Sequence, residues 1–236
     1  KLPPGEFGVM HGYMKIPELK KVCHAYGVSI NEYLVAVYVW SVYTECMHGM
    51  PSERPVRVAV PVNLRPYFNS ITTKNFFVMV SAEFHPTKEI YTFEEVLKSV
   101  SESLRSQISR ENLEKLFSYN VSNEKLLAAR IVPLFLKNLA MRYVYTTSAL
   151  ANTATVTNIG NISVSEEYRP YVEMFHAFLA MSKGQHLKGT ICSYGDTLVF
   201  SFSYDLTDAS VQRGFFRKIA ADGIAVEIET NGVNYE

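Results

Sequence analysis

The stretch VRVAVPVNLRPYF, residues 56–68, is an apolar run closed by a proline-bracketed polar hook, Pro61-Val62-Asn63-Leu64-Arg65-Pro66. Its valines suit a pleated strand. Side chains alternate along a strand, which puts Asn63 and Arg65 on one face and Val62 and Leu64 on the other. Pro61 has no N–H for a ladder, so it is expected at a sheet edge, a bulge or the strand's end. Pro66 biases Arg65 toward extended backbone and is expected to stop the element. Spacing alone favours a plain ending, a strand running into a turn with Arg65 paired to a surface carboxylate.

Helical and strand patterns flank this run. Ile16, Leu19, Cys23 and Tyr26 recur at helical spacing, and Gly27 is a stop signal. Ser29-Ile30-Asn31-Glu32 is a capping box that opens a helix over about 30–48. That helix is apolar on nearly every side through Val42, so it is expected to be deeply buried. Residues 75–84 read as a second strand, apolar on both faces at first, as in a central position. Thr92-Phe93-Glu94-Glu95 is a second capping box, opening an amphipathic helix to about Ser109. A third helical region spans about 124–145, with a kink or break expected at Pro133.

The second half reads mostly as strand. Residues 153–158 alternate, and Gly160 is expected to turn the chain. Residues 171–181 read as a long strand. Residues 188–194 and 197–204 form a hairpin over Gly195-Asp196. A helix over about 208–221 stops at Gly223, and 224–228 closes as a strand. The pattern predicts one α/β (α+β) domain over 1–236, a mixed sheet with long helices packed on it.

Composition narrows the function. Lys plus Arg and Asp plus Glu number 23 each, so nothing points to nucleic acid or an anionic membrane as a partner. The longest apolar run, Tyr33–Tyr43, is too short to span a bilayer. Three scattered cysteines, Cys23, Cys46 and Cys192, suit packed thiols in a reducing compartment, the cytoplasm, better than disulfides or a zinc site. The sequons at Asn120 and Asn161 therefore carry no expectation of glycosylation. The opening Lys1-Leu2-Pro3-Pro4-Gly5 reads as a linker, as in a piece of something longer, and carries no signal-peptide pattern.

No phosphate-cradling GK[ST] loop, GxGxxG, GxSxG, HExxH or CxxC is present. The six histidines, at 11, 24, 48, 85, 176 and 186, stand apart in sequence, and no partner for any of them is readable. The spacing yields no catalytic residue and no metal ligands. What remains is a set of polar residues at element ends, where binding groups concentrate: Asn31, Asn63, Thr157, Asn158 and Gly160. Arg65 is expected to be a buried structural tie.

Five stretches, in order, carry a resemblance. Ser29-Ile30-Asn31-Glu32-Tyr33-Leu34 resembles a helix start in which Asp often stands where Glu32 is. Val60-Pro61-Val62-Asn63-Leu64-Arg65 is similar to a Val-Pro-Val-[Asn/Ser/Asp]-Leu-Arg strand. Asn75-Phe76-Phe77 resembles a Gly-Asn-Phe strand start, with Lys74 for Gly. Thr92-Phe93-Glu94-Glu95-Val96-Leu97 resembles a Thr-Phe-x-[Glu/Asp]-x-Leu helix, and Thr157-Asn158-Ile159-Gly160 resembles Ser-Asn-[Leu/Ile]-Gly. Together they resemble the C-terminal half of the chloramphenicol-acetyltransferase-like acyltransferases. This superfamily includes nonribosomal-peptide condensation domains, wax ester synthases and a bacterial group labelled alcohol acetyltransferases, the last the most similar.

The resemblance implies one half of a two-lobed, CoA-dependent acyltransferase fold. The catalytic His-His-x-x-x-Asp of that superfamily lies in the N-terminal half, and this chain lacks it. The chain alone is therefore expected to be inactive, contributing the tunnel wall for transfer from acyl-CoA, as co-substrate, to a small alcohol or amine acceptor. No covalently bound cofactor is implied. The implied partner is the missing N-terminal lobe, and a half-fold on its own is expected to expose an apolar face and self-associate. The alternative is a non-catalytic binding or assembly module that keeps the half-fold.

Overall fold

In the computed structural model, which describes residues 1–125, 132–182 and 184–232, the run at 56–63 is a strand inside one seven-stranded mixed sheet. The strands are β1 (Gly8–Lys15), β2 (Val56–Asn63), β3 (Phe77–Phe84), β4 (Ala154–Asn161), β5 (Leu187–Tyr194), β6 (Thr197–Tyr204) and β7 (Glu227–Thr230), in the order β3-β2-β4-β5-β6-β1-β7. The joins β2·β4 and β4·β5 are parallel and the others antiparallel. The helices are α1 (Ile16–Tyr26), α2 (Ile30–Ser41), the single turn α3 (Arg65–Phe68), α4 (Phe93–Gln107), α5 (Arg110–Lys125), α6 (Leu134–Leu150) and α7 (Ser210–Ala221).

Alternation sorts the sheet into two faces. Val58, Val60, Val78, Val80, Val156, Ile191, Phe200 and Phe202 point to one side and are buried under α2, α4 and α7. Every side chain from Tyr33 to Val39 on α2 is fully buried, as expected of a helix apolar all round. Both capping boxes form: Ser29 and Glu32 exchange bonds at the start of α2, and Thr92 and Glu95 at the start of α4. At Gly12 the sheet must lie close to this layer: an added Cβ would stand 2.1 Å from Phe216 Cε1.

Several expectations need correcting. Pro61 is inside β2 and not at an edge. The ladder to β4 ends at Ala59, two residues earlier, and Pro61 has no N–H to continue it. Pro66 occupies the first turn of α3, where its missing N–H costs nothing, so it opens a helical turn instead of stopping an element. Arg65 therefore leaves the strand. β3 is an edge strand, not a central one, with Phe77 and Met79 exposed on the outer face.

The helix read over 30–48 passes into a π-turn at Val42–Cys46 after Ser41. Gly160 is a bulge within β4, at φ 86°, and not a turn. α5 and β1 had no sequence reading, and the closing strand lies at 227–230 rather than 224–228. The expected break falls at Pro133, just before α6, while residues 126–131 of that helical region lie outside the described residues. Residues 171–181 form no strand. They cross the outer face of the sheet as a strap, and residues 173–181 join no backbone-to-backbone hydrogen bond among the described residues.

Candidate functional site

The outer face carries the candidate residues. Pro61 and Asn63 of β2, Arg65 of α3, Phe77 and Met79 of β3, Thr155, Thr157 and Asn158 of β4, and Leu179 of the strap line a groove of about 410 Å³. Its floor is set by register: Pro61 pairs with Met79, and Asn63 with Phe77. Phe77, Met79 and Leu179 make it largely apolar, with hydroxyl and amide groups at one end, a composition that suits an organic ligand.

Among the described residues, Arg65 pairs with no carboxylate. Its Nε donates to Thr72 O at 2.9 Å, Nη2 to Lys74 O at 2.7 Å and Nη1 to Asn63 Oδ1 at 3.2 Å. Asn63 Oδ1 also accepts from Arg65 N at 3.1 Å. The half-buried guanidinium thus pins the 72–74 loop beside the groove, and Asn63 is held in one orientation by Arg65. Asn158 Oδ1 accepts from Gly160 N at 2.8 Å, which fixes the bulge. Its Nδ2 donates to Asn31 Oδ1 at 3.4 Å. Asn31 itself lines a different groove, of about 350 Å³, with Ser29, Glu32, Leu104, Arg105 and Ile108. Asn63, Thr157 and Asn158 are therefore brought together, Asn31 is tied to them through Asn158, and Gly160 shapes the bulge without lining either groove.

Glu32 anchors that second groove. Burial pushes its carboxyl up, but bonds from Arg105 and Ser29 outweigh this and hold it below the ordinary carboxylate value. Arg105 Nε donates to Glu32 Oε1 at 2.5 Å and Nη2 to Gly27 O at 3.1 Å, joining α4 to the start of α2.

Sequence reasoning left the histidines isolated, and the fold gives four of them partners; that of His85 is local, with Glu83 Oε2 3.4 Å from its Nε2. His186 Nδ1 meets Asp205 Oδ1 at 2.9 Å. His11 Nδ1 meets Ser201 Oγ at 2.7 Å, and its ring lies 4.6 Å from that of His176. His176 Nε2 meets Tyr13 OH at 2.9 Å, and Tyr13 also donates to Glu229. The partners of His11 and His176 lie on strands far apart in sequence, and the i, i+2 spacing of His11 and Tyr13 is legible only once β1 is recognised. Lys188, on the outer face of β5, is buried, which lowers its basicity, and donates to Ala180 O at 2.8 Å. Among the described residues no three His, Cys, Asp or Glu side chains converge to hold a metal ion, and no helix is long and apolar enough to cross a membrane.

This mixed sheet with its one-sided helical layer matches the fold of solved acetyltransferase, acyltransferase and peptide-synthetase structures. Among solved structures, the trichothecene 15-O-acetyltransferase of Fusarium sporotrichioides matches at TM-score 0.61 and 13% identity, over 94% of this chain and 47% of that one. The epimerization domain from the third module of tyrocidine synthetase B matches at TM-score 0.57 and 12% identity, over 94% and 50%. The wax ester synthase/diacylglycerol acyltransferase of Marinobacter aquaeolei VT8 matches at TM-score 0.50 and 15% identity, over 91% and 49%. The chain thus spans about half the length of these structures. No family model and no curated protein matches it.

Proposed function

We propose that the chain is the C-terminal lobe of an acyltransferase, of the alcohol acetyltransferase type, that moves an acyl group from acyl-CoA to a small alcohol or amine. Its groove is the wall of the reaction tunnel, Thr157 the hydrogen-bond donor to the developing oxyanion, and Arg65 the brace that holds the wall. The general base comes from a His-His-x-x-x-Asp motif in an N-terminal lobe outside this sequence.

The observation that carries this reading is unburied apolar surface, on α6 and at the groove. α6 is mostly apolar, yet Leu134, Phe135, Leu139, Met141, Tyr143 and Tyr145 are each more than half exposed. Helices of this kind are normally buried. Phe77 and Met79 extend the same exposed character to the rim of the groove. A companion lobe covers these groups in this reading, and without it the chain self-associates. The three unpaired cysteines, one exposed and two buried, support a cytoplasmic setting.

The experiment is thiol release from acetyl-CoA by the protein encoded by the complete reading frame, with a panel of small alcohols and amines. The expected result is acceptor-dependent release that is lost when the second histidine of the motif becomes alanine. A reading frame without the histidine pair, or no turnover with any donor, overturns it in favour of a non-catalytic module.

A further inference from the structure

The strap at 173–181 is fastened to the sheet by side chains. Cys192 Sγ donates to Phe175 O at 3.2 Å, Ser203 Oγ to Leu179 O at 2.6 Å and Lys188 Nζ to Ala180 O at 2.8 Å. Ring contacts add to these, Phe175 with Tyr194 at 5.3 Å and the imidazole pair, His176 of the strap over His11 of β1, with ring centroids 4.6 Å apart. Three residues beyond His176, the Leu179 side chain lines the candidate groove. One short extended segment therefore joins a titratable cluster to the groove wall.

The surroundings of the pair favour one added proton and resist a second. His11 faces Ser201 of β6, His176 and Phe178 of the strap, Tyr13 of its own strand and Glu229 of β7. His176 faces Tyr13, in a cavity of about 450 Å³ that is also lined by Glu173 of the strap, Lys15 of β1, and Glu227 and Glu229 of β7. Lys15 is engaged by Asp196, and Glu229 already accepts from Tyr13. The carboxylates make a single proton on the pair acceptable. Two imidazolium rings with centroids 4.6 Å apart repel each other.

We propose that the strap is a pH-sensitive wall of the groove, closed while the His11–His176 pair carries at most one proton and lifted from the sheet when both rings are protonated. Its link to function rests on the reading of that groove as an acyl-transfer wall. The direction follows from proton linkage. Burial, and then His176, hold His11 below its ordinary value, with Glu229 opposing. The lifted strap returns the ring to water and to its ordinary affinity for protons. The lifted form thus binds more protons and gains population as pH falls through about 6.5, the ordinary histidine value.

The test is the labelling rate of the Cys192 thiol, buried and bonded to the strap at Phe175 O, with an aromatic disulfide reagent that reacts at both about pH 7.5 and about pH 5.5, on either side of the ordinary histidine value, and with exposed Cys46 as internal reference. Relative to Cys46, Cys192 is expected to be labelled faster at the lower pH, by up to about tenfold, while buried Cys23, away from the strap, stays protected. His11→Gln and His176→Gln, which stay neutral and can still hydrogen-bond, are expected to flatten this dependence. An equal ratio of Cys192 to Cys46 labelling at both pH values in the unaltered chain, which needs no variant to fold, overturns the proposal. So does the same increase persisting in His176→Gln. Acyl transfer is not read in this experiment, so an inactive groove and an insensitive strap are separate results.

Discussion

Substitution of Gly12 by alanine is a sharp perturbation of the packing. The glycine sits in β1 with Phe216 of α7 flat against it. A Cβ built there stands 2.1 Å from Cε1, 2.5 Å from Cζ and 3.0 Å from Cδ1 of that ring. The ring cannot simply move away. It is 3% exposed and held edge-on by Phe202 and Phe215, at centroid distances of 5.7 and 5.2 Å. Overpacking a filled core costs about 1–3 kcal/mol, and a clash with a fixed ring belongs at the upper end, about 3 kcal/mol. Phe216→Ala alone removes the ring and costs about 3–5 kcal/mol. In the double variant the new methyl enters the space the ring has left, so the two losses overlap by about 1–2 kcal/mol. Urea unfolding of the four proteins at constant m gives the cycle. Strict additivity, or a Gly12→Ala change under about 0.5 kcal/mol, would refute the claim that β1 is fixed against α7 at this point.

Glu32→Ala removes a buried carboxylate that accepts from Ser29 N at 2.7 Å and from Arg105. Chemical denaturation is expected to show a loss of about 2 kcal/mol, and Glu32→Gln, which keeps the cap acceptor, about half of that. Because the folded carboxyl is held below its ordinary value, this stabilisation is complete above the unfolded value of about 4.3 and fades as pH falls through the lower folded value. Unfolding free energies measured between about pH 5 and pH 3 should fall less steeply in Glu32→Gln, and identical slopes would count against the assignment. In the protein from the complete reading frame, assayed for the proposed acyl transfer, Thr157→Val is expected to lower kcat by about a hundredfold or more with KM little changed; a loss under about threefold would remove Thr157 from the oxyanion role.

Much of the architecture was legible because it is written locally. The capping boxes at Ser29 and Thr92, the all-apolar Tyr33–Val39 and the alternation of Thr197–Tyr204 each specify their element through neighbours a few residues away. What was not legible depends on distant partners. β1 alternates but includes two glycines, and its strand character comes from pairing with β6 and β7 near the other end of the chain. The strap has a strand's sequence and an extended backbone, but it lies across strands whose ladders are already filled, so its alternation serves packing instead of pairing. The prolines misled for a similar reason: Pro61 and Pro66 were read by their general prohibitions, while the fold places each where the missing N–H is not needed. Around the groove, Asn63, Thr157 and Asn158 were found as polar ends of strands. The histidine pairings were not, because strand register, not sequence spacing, brings His11, Ser201 and Glu229 into one row.

The central claim is that the groove and α6 are the inner surface of a larger, two-lobed protein. Hydroxyl-radical footprinting of the chain alone and of the protein from its complete reading frame tests this directly. The account predicts that Phe135, Tyr143 and Tyr145 of α6, and Phe77 and Met79 of β3, are oxidised readily in the chain alone and several-fold less in the complete protein, while Tyr168 and Tyr171, exposed but remote from α6 in sequence, serve as comparison. Equal oxidation of the α6 and β3 residues in both proteins would contradict it.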